Sequence, residues 1–516
     1  MSKGLLKTLS LLIVVVMISA LFAACGVKSN EATGAANTES TAVSKAEATA
    51  KEAPAASDLT KEFLTLKVHY PGDQSKRMGE FLDNEFKQKL KDELNTAVEV
   101  SWSPWDQYWN KKDMMIAAGE QIDWFWDGAP DLSKVVGAKS CQPIDELLEK
   151  YGQDIKKAIP EENFKSFVID GKLMGIPSQY APTSEKFRSI LVRQDILDGV
   201  GMKEIKTITD MNQLGELVQT KFPGMKYIAY DPYMPLTRET DTRNISYDAN
   251  NFIIVDEDTG KAEFAALTEG WKKASMQAYE WNKKGWIPEE VTVKQKEQVN
   301  RMKSGKYVES EGAISRPLED IADLRKNVPD ATLVEFVIAP EKPRYKTMAS
   351  SEGIFIGSTA KYPERAMMML NWMLQSKENY LFCIYGVDGK DYTMENGRIK
   401  LINQDSLWYE WMFRNLNYME FPDNVSDEFI ESFKNWDKDA KLSCHFGFAF
   451  DPTAVRSEEA KINQISMEKL LPISTGYVEY ETAFPDAEKA LKAAGVDKYV
   501  AEYQKQLDAF IAANKH

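Results

Sequence analysis

"AVEVSWSPWDQYWNKKDMMIAAGEQIDWFWDGAP", Ala97–Pro130, holds the pattern on which the fold turns. Its first six residues alternate, which predicts a strand. "WSPWDQYW" (Trp102–Trp109) then reads as an aromatic loop, and the run through Met114–Ala118 as a helix. "IDWFWD" (Ile122–Asp127) reads as a short buried strand, stopped by Gly128 and Pro130. Upstream, "FLTLKVHYPG" (Phe63–Gly72) alternates in the same way, and Met78, Phe81, Leu82, Phe86 and Leu90 share one side of a helix. Strand–helix–strand–helix–strand predicts a largely parallel α/β sheet. Ligands of such sheets sit beyond the carboxyl ends of the strands. Both aromatic clusters fall there, as a stacking platform for a flat, polar ligand would. Alternation puts Trp124 and Trp126 on one side of their strand and Phe125 on the other.

The rest of the chain supplies more of the same. "DGKLMGIPSQY" (Asp170–Tyr180) reads as a turn entering an extended strand, and helices are expected at about 210–220 and up to Gly285. "EGAISRP" (Glu311–Pro317) reads as a buried strand meeting a loop. In "GIFIGSTAKYPERAMMMLNWMLQ" a strand precedes a helix with Pro363 in its first turn, where a missing N–H costs nothing. Ala366, Met369, Leu370, Met373 and Leu374 form the core face of that helix. A last helix, about 498–513, presents Val500, Tyr503, Leu507, Phe510 and Ile511 for docking.

The chain opens with Lys3, Lys7, an apolar run from Leu9 to Phe22, and Ala23-Ala24-Cys25. That order predicts a secretory signal peptide, residues 1–24. The Ala-Ala-Cys ending resembles a bacterial lipobox, which makes Cys25 the expected lipid-attachment site. Residues 25–58 are rich in Ala, Ser, Thr, Glu and Lys and hold almost no large apolar side chain, so they are expected to be a disordered tether. Loss of the signal leaves 62 basic and 79 acidic residues, a net charge of −17. Such a chain is not a nucleic-acid binder, which would need basic patches. Cys141, Cys383 and Cys444 are odd in number and widely spaced, and only His69, His445 and His516 occur. No metal site and no cofactor are therefore expected. "DEDTGKAE" (Asp256–Glu263) loosely resembles a calcium loop but lacks the ligand order, and a hairpin turn explains it equally well.

Several segments, in order, carry a family resemblance: "MMIAAGEQIDWFW", "DGKLMGIPSQ", "LVRQDILDGVGM", "STAKYPERAMMMLNWML" and "YGVDGKDY" followed by "ENG". "FGFAFDP", "STGYVEYE" and "AAGVDKYVAEYQKQLDAF" continue the series. Together they resemble the family 1 extracellular solute-binding proteins of sugar-type ABC importers, and within them the oligosaccharide-binding lipoproteins with a distinctive C-terminal extension. The resemblance implies a two-lobed, periplasmic-binding-protein-like α/β fold of the class II type, with discontinuous lobes, a hinge and a cleft. It implies an N-terminal lobe of residues 59–179 and 350–404, a C-terminal lobe of 180–349, and an extension, 405–516, packing on both. Chain crossings are expected near Pro177–Thr183 and Ser350–Gly357. It further implies an oligosaccharide ligand, ABC permease transmembrane subunits as partners, no catalysis, a monomer, and a lipid anchor on the extracellular face of a Gram-positive membrane.

Sugar rings present apolar C–H faces to Trp and Tyr, and hydroxyl edges to Asp, Glu, Asn, Gln and Arg. Position at strand ends makes Trp126 and Asp127 the first candidates, then Trp105, Tyr108 and Trp109 in the aromatic loop. Gln179 and Tyr180 follow the crossing-strand Pro177, where similar proteins place a contacting residue. Arg316 follows the "GAIS" strand, and Glu352 stands at the return crossing. Trp408, at i, i+3 from Trp411 on one helical face, completes the set, although core packing explains that pair as well. Two other functions fit the residues: a surface glycoside hydrolase or lyase, which needs two carboxylates across a cleft, and a peptide-binding or sensor lipoprotein on the same fold.

Overall fold

The computed structural model describes residues 59–513 apart from 178–182, 186–187, 231–232, 249–251, 289–300, 313 and 404–407. The signal and tether expectations, Cys25, Gln179 and Tyr180 lie outside the described residues.

Five strands build the first sheet: β1 (Leu64–Pro71), β2 (Thr96–Ser103), β3 (Trp124–Gly128), β4 (Ile176–Pro177) and β5 (Glu352–Ile356), in the order β2-β1-β3-β5-β4. β1 runs parallel to β2 and β3, as the alternating segments predict, whereas β5 is antiparallel to both β3 and β4. The helix α1 (Trp105–Ala117) joins β2 to β3, so the expected aromatic loop is instead the first turns of a helix, entered through Pro104. Trp105, Tyr108, Trp109 and Lys112 recur at i, i+3, i+4 and i+7 and so share the face turned to the sheet. The helix α2 (Pro363–Gln375) buries Ala366, Met369, Leu370 and Met373 as expected.

A second sheet of four strands orders Leu333–Phe336, Ser189–Arg193, Tyr307–Gly312 and Lys226–Ile228 around its own apolar core, which includes Ile190, Leu214, Trp281 and Trp286. The strand at Glu311 ends at Gly312, and Arg316 opens a helix, Arg316–Asn327, where a loop was expected. Ile314, between them, is 6% exposed and packs with the first core, as does Leu318. The two lobes therefore touch across their cleft.

The segment 405–516 does not behave as one piece. Trp408, Met412, Phe413, Met419, Phe421 and Phe433 belong to the first core. Val455, Ile462, Phe484, Tyr499, Tyr503 and Leu507 form a third core with Ile253, Phe264 and Trp271, beside the small sheet of Ile245–Tyr247, Ile253–Asp256 and Ala262–Phe264. Its last helix, α3 (Val496–Ala513), buries Tyr503 and Leu507. The "DEDTGKAE" stretch is the hairpin turn of that sheet: the Asp256 carboxylate accepts from the backbone N–H groups of Asp258 and Thr259 at 3.1 and 2.9 Å. Among the described residues no helix is long and apolar enough to cross a membrane.

Candidate functional site

The carboxyl ends of β1–β3 carry an aromatic cluster with two layers. The inner layer centres on Tyr70, which meets Trp102, Trp124 and Trp408 edge-on at 5.4, 5.8 and 5.4 Å and stacks on Phe413 at 6.3 Å. Tyr70, Trp124 and Trp408 are sealed, none more than 1% exposed. Trp408 was expected to share a helical face with Trp411. The helix there is only Glu410–Phe413, and the two indoles part company. Trp408 faces Tyr70 and Trp124, while Trp411 turns to the outer layer and stays half-buried.

That outer layer is Trp105, Trp109, Tyr409 and Trp411, all half-buried, around the 6%-exposed Trp126. Trp126 meets Trp105 and Trp411 edge-on at 5.6 and 5.4 Å, and Tyr409 stacks on Trp411 at 5.8 Å. The Trp126 indole N–H is buried without a hydrogen-bond partner among the described residues. Trp124 and Trp126 both face the 408–413 segment while Phe125 stacks on Phe355, so the expected alternation is observed. Gly72 makes the arrangement possible. Its φ is +96°, and a Cβ there would fall 2.1 Å from the Tyr409 hydroxyl.

Beneath the outer layer lies a buried ion pair. Asp127 and Lys112 are 1% and 2% exposed and bonded to each other. Asp127 also accepts from the Trp109 indole N–H at 3.1 Å and from the Gly128 N–H at 2.9 Å. Burial works against the Lys112 ammonium, but Asp127 and Asp113 together outweigh it and hold the lysine above its ordinary range. The Tyr108 hydroxyl donates to the Trp126 carbonyl at 2.6 Å, and its ring, fully buried, stacks on His69 at 5.3 Å. Burial pushes His69 down to about 4, with Lys111 and Lys112 adding to the effect, so the imidazole is neutral.

These contacts correct the sequence reading in a definite way. Tyr108 and Trp408 have no ring face open to a ligand, because both are core side chains. The Asp127 oxygens are spent on Lys112, Trp109 and Gly128, so the acid positions the platform from below. Glu352 pairs with Gly128 across β5 and β3, is 7% exposed, and accepts from the Ser351 hydroxyl at 3.0 Å. Trp105, Trp109 and Trp126 do come together. The side chain of Arg316 lies outside the described residues.

Four residues escaped the sequence reading. Tyr409 and Trp411 read as core beside Trp408, and nothing in their spacing separates half-buried rings from sealed ones. Asp131, in the turn Ala129–Asp131 after β3, is half-buried, and its side chain accepts no hydrogen bond among the described residues. Burial, with the nearby Asp127 charge, pushes it up to about 6. In the second lobe Glu309 is fully buried with Tyr230 donating to one oxygen at 2.8 Å, and burial pushes it up to about 7.

The fold, two α/β lobes with crossings between them, is that of a two-domain solute-binding protein. Residues 82–384, more than half the chain, match the family model for the bacterial extracellular solute-binding proteins, and the chain belongs to that family. Residues 445–512 match a separate domain of unknown function. A carbohydrate ABC transporter substrate-binding protein of Streptococcus pneumoniae is 23% identical over 87% of this chain and 91% of its own length. The N-glycan transport solute-binding protein of the same species has a similar crystal structure: TM-score 0.71, 19% identity, 87% of this chain and all of that one. Its complex with Man5GlcNAc is similar at TM-score 0.69 and 19% identity, over 88% of this chain and 99% of that one.

Proposed function

We propose that this protein captures an oligosaccharide, of the mannose- and N-acetylglucosamine-containing class, in its interlobe cleft and delivers it to the transmembrane subunits of an ABC importer. The observation that carries this reading is the half-buried aromatic layer of Trp105, Trp109, Tyr409 and Trp411 at the strand ends. Rigid indole and phenol faces suit the C–H faces of pyranose rings and lose little side-chain entropy on binding. The relatives' substrates supply the sugar class. Asp131, half-buried in the turn after β3 and close to Asp127, adds a carboxyl that suits ring hydroxyls or an acetamido group. Arg316, Gln179, Tyr180 and Glu352 are the polar groups that would border the ligand. The binding lobes are residues 59–177 with 350–436, and 180–349; residues 445–513 pack with the second. Cys25 is the proposed lipid anchor, with residues 25–58 as tether.

Thermal melts of residues 59–516 against Man1GlcNAc, Man5GlcNAc, kestose and a peptide mixture test this. A ligand at a hundred times its Kd stabilises the fold by about 2.7 kcal/mol. The expected result is an upward Tm shift with the mannose series alone and no product in the incubated sugar. Shifts confined to peptide, or accumulation of shortened sugar, would overturn the reading in favour of a peptide receptor or a glycoside hydrolase.

A further inference from the structure

The domain of unknown function is fastened to one lobe and reaches the other. Its attachment to the second lobe is extensive. Trp271 lies against Phe484 at 5.7 Å, and the Asn282 side chain donates to the Gly476 carbonyl at 2.8 Å. Gln504 accepts from the Ala262 N–H at 2.7 Å and donates to the Gly260 carbonyl at 3.0 Å. A body held this way moves with the second lobe.

The segment leading into it joins the crossings. Asp437 accepts from the Thr183 and Ser184 backbone N–H groups at 2.9 and 3.0 Å, and the Trp436 indole donates to the Ser184 carbonyl at 2.9 Å. Lys441–Leu442 pairs in parallel with Tyr345–Lys346, just before the return strand β5. Glu257 then takes the Ser443 hydroxyl at 2.6 Å and the Cys444 N–H at 2.8 Å, tying the far end to the second lobe. The chain therefore crosses between lobes a third time, alongside the other two.

Beyond the crossing, the turn Pro452–Val455 packs against the helix Leu132–Gly137, the first-lobe helix that begins just after Asp131. The Arg456 guanidinium lies 3.4 Å from where a Cβ on Gly137 would sit. Glu459, half-buried one turn further on, lies within electrostatic reach of Lys134 across the gap and of Arg456 on its own helix. A contact between a second-lobe body and a first-lobe helix exists only while the lobes are close. It coexists here with Ile314 and Leu318 packing onto the first core, the signature of closure.

We infer that residues 437–513 form a third hinge strand and a latch, in which Arg456 and Glu459 engage Lys134 and Gly137 to favour the closed arrangement of the lobes. This does not depend on which solute is bound. A ligand that requires closure binds more weakly in proportion to the fraction of molecules that are open. The latch thereby sets affinity from outside the cleft.

Small-angle X-ray scattering of the ligand-free protein tests it without any choice of sugar. Glu459→Lys sets like charges against each other across the gap, and Lys134→Glu does the same from the other side. Each is expected to shift the open-to-closed ratio by about two- to five-fold, the range of exposed charge pairs, and to raise the radius of gyration. The Lys134→Glu/Glu459→Lys double variant is expected to return to the wild-type value. Singles that scatter like wild type, or a double no more compact than the singles, overturn the latch. Melts of all three accompany the measurement. If Glu459→Lys fails to fold, Lys134→Glu and Arg456→Ala carry the test on the same criterion.

Discussion

Tyr70, Trp124 and Trp408 on one side of the cluster, and Trp105, Trp109, Tyr409 and Trp411 on the other, are the same kinds of side chain only one ring apart. The inner rings are closed over by Phe86, Phe413 and Trp102 and have no free face. Trp105, Trp109 and Trp411 lean on Trp126, Tyr409 leans on Trp105 and Trp411, and all four keep part of their faces in solvent. A buried aromatic stabilises the fold whether or not a ligand comes, whereas a half-buried one leaves an apolar face that a ligand can cover. The same contrast divides the buried carboxylates. Asp127 is met by the Lys112 ammonium, while Glu309 has only hydroxyl donors and is pushed up to about 7 by burial.

The largest effects should come from the sealed groups. Trp408→Ala is expected to cost about 3–5 kcal/mol in urea unfolding, the range for deleting a core aromatic. A loss under about 1 kcal/mol would put Trp408 with the outer layer. Lys112→Met strands the Asp127 charge and should cost a similar 3–5 kcal/mol. Adding Asp127→Asn should recover most of that; no recovery would mean that the lysine acts through packing alone.

Glu309 gives the pH-dependent case. Its folded-state pKa is raised to about 7 by burial, above the unfolded carboxyl. As pH rises through about 4 to 7 the unfolded chain releases its proton first, so this group's contribution falls over that window and is fully lost above it. Glu309→Gln should therefore raise the unfolding free energy at pH 8 by on the order of 3 kcal/mol, and Tm with it, and leave both unchanged near pH 4. Equal shifts at both pH values would show that ionisation is not the cause. Gly72→Ala, strained at φ +96° and pressed on Tyr409, should cost roughly 1–3 kcal/mol and weaken sugar binding together. Unchanged binding would remove Tyr409 from the platform.

The parallel strands, the Pro363 helix and the strand-end location of the cluster were legible because each rests on a local period of two or 3.6. Proline misled at Trp105: Pro104 precedes a helix whose first turns carry the aromatic face, and a Trp-rich segment beside Pro reads as loop when only spacing is visible. The roles of Asp127 and Trp411 depend on partners far away in the chain. Lys112 is an unremarkable helical lysine until β3 brings Asp127 beside it, and the split between Trp408 and Trp411 follows from where a four-residue helix ends. The division of the C-terminal segment between two cores was equally hidden, since both halves read as aromatic and amphipathic.

The central claim is that the outer aromatics serve a ligand and the inner ones the fold. Calorimetric titration of Man5GlcNAc into Trp411→Ala, with its melting temperature recorded alongside, tests it most directly. The account predicts affinity reduced about tenfold or more, a loss of roughly 1.4 kcal/mol of binding, with unfolding free energy within about 1 kcal/mol of wild type. Wild-type affinity in a variant that has lost several kcal/mol of stability would contradict it, and would return Trp411 to the core.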